Sequence, residues 1–146
     1  MNDLKNLYQE VILDHSKHPR HFHALDPCDH SATGHNPLCG DNLKVYVRMD
    51  GDTIADVSFV GDGCAISKAS ASLMTDLARG KTVEEFAQLY NDFHHIATTQ
   101  DPIPDSVGKL KVLAGVREYP SRVKCATLAW HTLDAALHGQ SAAKTE

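Results

Sequence analysis

Between Asn42 and Val60 the chain carries two apolar runs joined by Asp50-Gly51. Leu43, Val45, Val47 and Met49 alternate with Asn42, Lys44, Tyr46 and Arg48, the period of a half-buried strand. Asp-Gly is the strongest short hairpin signal, so Thr53 to Val60 returns as the second strand. The segments on either side of this hairpin must pack around it.

Just before it stands Asn36-Pro37-Leu38-Cys39-Gly40-Asp41. Cys39 and Asp41 are two residues apart, and in an extended chain such side chains point the same way, so the pair could grip one ion. Gly40, without a Cβ, lets the backbone bend close to that ion. Just after the hairpin, Gly61-Asp62-Gly63-Cys64 permits a tight turn, and Cys64 opens a helix running to about Ala78. Its buried stripe is Ile66, Ala69, Leu73 and Leu77, and Gly80 stops it. The small residues of its first turns suit close packing on the sheet. A cysteine at a helix N-terminus meets the positive end of the dipole, which favours its thiolate.

The other helices are legible by period. Leu4, Leu7, Tyr8, Val11 and Ile12 mark an amphipathic helix capped by Asn2 or Asp3, which must stop near His18 because Pro19 follows. Thr82-Val83-Glu84-Glu85 is a capping box opening a helix with Phe86, Leu89, Tyr90 and Phe93 on one face. A loop over 95–105 leads to a short helix over 106–117, with Val107, Leu110, Leu113 and Val116 inward. Tyr119-Pro120 breaks it. Ser121 is the expected cap of a last helix carrying Val123, Ala126, Trp130, Leu133 and Leu137 inward, with Cys125 in its first turns. Six histidines between His15 and His35 lack regular spacing or paired cysteines, so they read as a polar connector rather than a metal-binding tract.

The 146 residues suit one domain, 1–146, with no repeat or linker to split it. Fourteen Lys and Arg against nineteen Asp and Glu give a net charge of −5, which argues against nucleic acid or an anionic membrane as partner. The N-terminus has no apolar signal core, and no apolar run approaches the ~20 residues of a membrane helix. The expectation is a soluble, cytoplasmic protein, whose cysteines bind metal or react rather than form disulfides.

Cys39, Cys64 and Cys125 are separated by 25 and 61 residues. No CxxC knuckle is present, so the fold itself must assemble any site. Three thiolates with Asp41 make four ligands, enough for tetrahedral Zn²⁺, and the carboxylate is the weaker, more exchangeable one. Cys28, flanked by Asp26 and Asp29, reads as an incidental surface cysteine.

Asn36–Asp41, then Gly61-Asp62-Gly63-Cys64-Ala65-Ile66-Ser67 with Ala69-Ser70-Ala71-Ser72, then Arg122-Val123-Lys124-Cys125, resemble the NifU/IscU family of iron–sulfur cluster assembly proteins. The likeness covers nearly the whole chain, including Asp14-His15 and Pro19-Arg20. It implies an α+β fold, a small antiparallel β-sheet of about three strands covered by helices on one face. The third strand would lie around Ser31–His35.

Two departures separate this chain from the IscU branch. Lys124 stands where that branch carries histidine before the third cysteine, and Glu118–Lys124 lacks the Leu-Pro-Pro-Val-Lys chaperone-binding motif. These features, and a longer interval between Cys64 and Cys125, resemble the SufU branch. That resemblance implies zinc held by Cys39, Asp41, Cys64 and Cys125. It also implies a SufS-type cysteine desulfurase as partner, alongside other cluster-assembly proteins of the same system.

On that reading Cys39, on its Pro/Gly-flanked loop, accepts persulfide sulfur and is the catalytic residue of a sulfurtransferase-like protein. Arg122 and Lys124 then act as supporting positive charges near the metal. The alternative is a scaffold on which a [2Fe–2S] cluster is assembled and passed on, with the carboxylate keeping the cluster labile. A structural zinc domain is the third reading, which the Asp ligand and long spacing disfavour.

Overall fold

The hairpin forms as expected. In the computed structural model, which describes residues 2–37, 40–103 and 105–144, strands β2 (Asp41–Asp50) and β3 (Thr53–Asp62) pair antiparallel around the Gly51-Asp52 turn. Gly51, the first residue of the two-residue loop, takes φ +64° there, a conformation glycine adopts without steric cost. Strand β1 (His30–Asn36) pairs antiparallel with β2, placing Asn36 opposite Asp41. It falls where the resemblance implied a third strand, and it turns the last part of the histidine-rich connector into sheet.

The sheet has four strands, not about three. A short β4 (Ala142–Lys144) lies parallel to β1 at the edge, so the order is β3-β2-β1-β4 and the sheet is mixed. Burial alternates along β2, with Leu43, Val45 and Val47 inward and Asn42 and Lys44 exposed. One face of the sheet therefore carries the helices, as the α+β reading requires.

Helix α1 (Asn2–Lys17) ends before Pro19. Of its expected apolar stripe, Val11 and Ile12 are half-buried, while the side chains of Leu4, Leu7 and Tyr8 fall outside the described residues. Helices α2 (Ala65–Ala78), α3 (Val83–Thr98) and α4 (Pro120–Leu137) follow. The Thr82–Glu85 capping box at the start of α3 is complete in both directions. Between α3 and α4, Asp105–Glu118 is a 3₁₀ segment rather than an α-helix, kinked at Gly108, where φ is +58°. Val107, Leu110, Leu113 and Val116 are all buried as expected.

Ser121 does not cap α4. The helix starts two residues earlier than that cap would set it, with Pro120 at N1, and Tyr119 occupies the cap position without a side-chain hydrogen bond. Proline suits N1 because its missing N–H would be unpaired there anyway.

Helix α4 lies across β1 and β2. A Cβ on Gly34 would stand 2.0 Å from Thr132 Oγ1, so glycine sets the closeness of that approach. Trp130, fully buried, stacks on Phe93 at 4.6 Å and on Phe86 at 5.9 Å between ring centroids. The small residues of α2 lie chiefly against α1 and α4 rather than on the sheet. Their hydroxyls bond across those helices, as in the Ser70 O–H donated to the Ala126 carbonyl at 2.5 Å. Among the described residues no helix is long and apolar enough to cross a membrane.

Candidate metal centre

Three elements converge where β2 begins, α2 begins and α4 completes its first turns. Asp41 is the first residue of β2, Cys64 is the N-cap of α2, and Cys125 lies in the second turn of α4. One ligand atom from each, a carboxylate oxygen and two thiol sulfurs, lies within 4.8 Å of the others. Asp41 and Cys125 are fully buried, and Cys64 is half-buried.

The local sequence explains each placement. Gly61 takes φ +138°, and a Cβ there would stand 2.1 Å from the Asn42 carbonyl oxygen, so only glycine lets β3 close against β2 at this point. The chain then turns through Gly63 so that Cys64 caps α2, its Sγ accepting the Ser67 backbone N–H at 3.4 Å. Asp41 Oδ1 accepts the Cys64 backbone N–H at 2.9 Å, tying the hairpin head to the helix start. Gly40 has φ +72° and its N–H donates to the Asn36 carbonyl. Gly40 itself is therefore in a turn.

Asn36 supplies a contact that sequence reasoning left unread. Its side-chain amide stands 3.4 Å from Asp41 Oδ2 and 3.7 Å from Cys125 Sγ. A primary amide has two N–H donors, which suits a carboxylate and a sulfur side by side. Its place inside Asn36–Asp41 was visible as a motif, but the partner lies 89 residues away.

Cys39 lies outside the described residues. Arg122 is exposed and Lys124 half-buried, and neither side chain makes a hydrogen bond or ion pair among the described residues. Cys28 is half-buried and does not join the cluster, and no histidine does so among the described residues. His15 is instead buried against α2, with Nδ1 2.7 Å from Ser72 Oγ.

The donor set fits a thiophilic divalent cation. Bonds of 2.0–2.3 Å to oxygen, nitrogen and sulfur set ligand–ligand edges of roughly 3.3–3.8 Å around a tetrahedral Zn²⁺, so a 4.8 Å spread needs only a small contraction. A fully buried Asp41 without a basic partner among the described residues is the other sign, because a buried carboxylate needs a compensating charge.

Comparison with known proteins agrees with this arrangement. Residues 7–144 match the NifU-like N terminal domain family. The chain is 41% identical to the iron–sulfur cluster assembly scaffold protein IscU of Streptococcus pyogenes serotype M1, over 94% of this chain and 86% of that one. It is 38% identical to the zinc-dependent sulfurtransferase SufU of Bacillus subtilis, over 90% of each. A solved candidate scaffold of the SUF system from Fervidobacterium islandicum AW-1 superposes with a TM-score of 0.83 at 36% identity, covering 88% of this chain and 94% of that one. The chain therefore belongs to the NifU-like N terminal domain family, in the IscU/SufU class of iron–sulfur cluster assembly proteins.

Proposed function

We propose that this protein is a zinc-dependent sulfur acceptor that takes persulfide sulfur from a SufS-type cysteine desulfurase through Cys39. The observation that carries the reading is the convergence of Asp41, Cys64 and Cys125 within 4.8 Å. Ligands shared between the two irons of a cluster are held apart by the iron–iron vector, whereas ligands of one ion are not, so this close grouping favours a single ion. Cys39 is two residues from Asp41 in sequence, within about 7 Å along the chain, and would complete the set as fourth ligand. Zinc bound there would keep the thiols deprotonated and the segments together.

The transfer itself belongs to Cys39. Its thiolate attacks the outer sulfur of the desulfurase persulfide. A new S–S bond forms on Cys39, the old one breaks, and the desulfurase cysteine leaves as a thiolate. Lys124 supports this reading over a scaffold, because the position before the third cysteine offers no imidazole to a cluster. The work fits the cytoplasm, where desulfurase and thiols stay reduced.

The second reading, a scaffold carrying a [2Fe–2S] cluster as cargo, draws support from the Streptococcus relative that bears that name. The two separate on one sample purified without oxygen. A colourless protein with one zinc that stimulates the desulfurase supports sulfur transfer. A brown protein with iron and acid-labile sulfide, and no stimulation, overturns it.

A further inference from the structure

Beside the cluster stands a hydroxyl that bonds to none of the described residues. Ser67 is fully buried, and its Oγ has no hydrogen-bond partner among the described residues. Buried hydroxyls are nearly always paired, so an orphan calls for a reason.

The reason lies in who holds the Cys64 N–H. Ser67 is the N3 residue of α2, three after the cap. In a reciprocal capping box the N-cap side chain accepts the N3 N–H, and the N3 side chain reaches back to the N-cap N–H. Helix α3 shows the complete form: Thr82 Oγ1 accepts the Glu85 N–H at 3.1 Å, and Glu85 Oε1 accepts the Thr82 N–H at 2.9 Å. Helix α2 has only the first half, from Ser67 N–H to Cys64 Sγ. The second half is taken by Asp41 Oδ1, which holds the Cys64 N–H at 2.9 Å. The two competing oxygens flank Gly63. A Cβ built on that glycine would stand 3.0 Å from Asp41 Oδ1 and 3.1 Å from Ser67 Oγ.

We propose that Ser67 is the reserve acceptor for the Cys64 N–H, a positioning residue that lets the Asp41 carboxylate turn from the backbone to a metal ion. The inference rests on the metal reading above. When Asp41 turns Oδ1 from the backbone to an ion, the Cys64 N–H loses its acceptor inside a buried turn, and an unpaired buried N–H costs more than an ordinary hydrogen bond is worth. Rotation of the Ser67 hydroxyl toward that N–H completes the capping box and removes the cost. With Asp41 on the backbone the hydroxyl is orphaned; with Asp41 on the ion it is paired. Asp41 is thus exchangeable because a second oxygen waits behind it.

The test is Ser67→Ala in the full chain, measured by zinc titration against a chromophoric chelator and by amide hydrogen exchange at Cys64 with and without zinc. The parent should bind one zinc, and Ser67→Ala should bind it about tenfold more weakly, the worth of one hydrogen bond. Its zinc-free melting temperature should equal or exceed the parent's, because an unpaired hydroxyl has gone. The Cys64 amide should be protected without zinc in both proteins, and protected with zinc only in the parent. Equal zinc affinity, or a protected Cys64 amide in zinc-loaded Ser67→Ala, overturns the proposal. So does a lowered zinc-free melting temperature with an unaltered exchange pattern, which would make Ser67 a packing residue. A parent that binds no zinc overturns the metal reading itself, and is told apart because the failure appears before any substitution.

Discussion

The indole N–H of Trp130 donates to Ser70 Oγ at 3.0 Å, and the same hydroxyl donates to the Ala126 carbonyl. One buried serine thereby joins α2, which Cys64 caps, to α4, which carries Cys125. Ser70→Ala would leave the indole N–H unpaired in the core, at a cost of about 1–3 kcal/mol. In a chain of this size that is a fall of several degrees in melting temperature. Metal affinity should fall as well, because the spacing of the two sulfur-bearing helices loosens. Thermal melts and zinc competition on the same variant check both effects. Stability equal to the parent would show that the helices are set by the aromatic stack alone.

His15 gives the stability a pH dependence whose sign is determined. Burial holds its imidazole below the ordinary value of 6.5, and the Arg20 charge adds to the effect. Ser72 Oγ accepts the Arg20 backbone N–H at 2.8 Å and stands 2.7 Å from His15 Nδ1, where its free hydroxyl hydrogen can meet the lone pair of the neutral ring. The unfolded chain takes up a proton near 6.5 that the folded state resists. Stability is therefore full above 6.5 and falls as pH drops below it. Burial and the neighbouring His94 lower His131 in the same direction. Melting temperatures from pH 5 to 8 should decline on the acid side, and the decline should be shallower in His15→Gln. An identical slope in that variant would remove His15 from the account.

Much of this molecule was legible because its signals are local. The β2–β3 hairpin declared itself by alternation and Asp50-Gly51, and α3 by its capping box. The features that escaped depend on partners far along the chain or on very short elements. Strand β4 is three residues, Ala142–Lys144, too short for any period, and it exists because the exposed edge of β1 accepts it. The small face of α2 was legible as close packing, but against which neighbour was not, since Ser70 and Ser72 choose α4 and α1 through single hydroxyls. At α4 two start signals competed, and the proline's fixed φ outweighed the serine's capping oxygen. The thiols and carboxylate could be named from motifs, while the Asn36 amide between Asp41 and Cys125 needed the fold.

Asp41→Ala removes a fully buried carboxylate. The zinc-free protein should keep the fold, because Ser67 Oγ is at hand to take the Cys64 N–H that Asp41 Oδ1 holds. Zinc should be held more weakly, with water in the vacated position. The measurements are zinc affinity and chemical denaturation in the presence of chelator. Affinity equal to the parent would show that Asp41 is not a ligand.

Lys124 stands immediately before Cys125, half-buried and without a side-chain partner among the described residues. Three thiolates and a carboxylate on Zn²⁺ would sum to −2, and a nearby ammonium offsets part of that. Lys124→Ala should weaken zinc binding by up to about fivefold, the scale of one partly solvated charge interaction, and the loss should shrink as salt rises. Arg122, exposed, should show a smaller effect. Salt-independent zinc affinities equal to the parent would return both to the ordinary surface.

Cys39 decides the functional reading. Cys64 is held as the cap of α2 and Cys125 is sealed inside α4, so replacing either should damage metal binding and stability together. Cys39→Ser should instead keep the fold, with a melting temperature near that of the parent measured in chelator, and abolish stimulation of the desulfurase. The readout is alanine production by the partner enzyme under excess cysteine, with mass spectrometry of the trapped protein. The expected adduct is one extra sulfur on Cys39 in the parent and none in the variant. An extra sulfur on Cys64 or Cys125, or full stimulation by Cys39→Ser, would remove Cys39 as acceptor and leave the cluster scaffold as the better description.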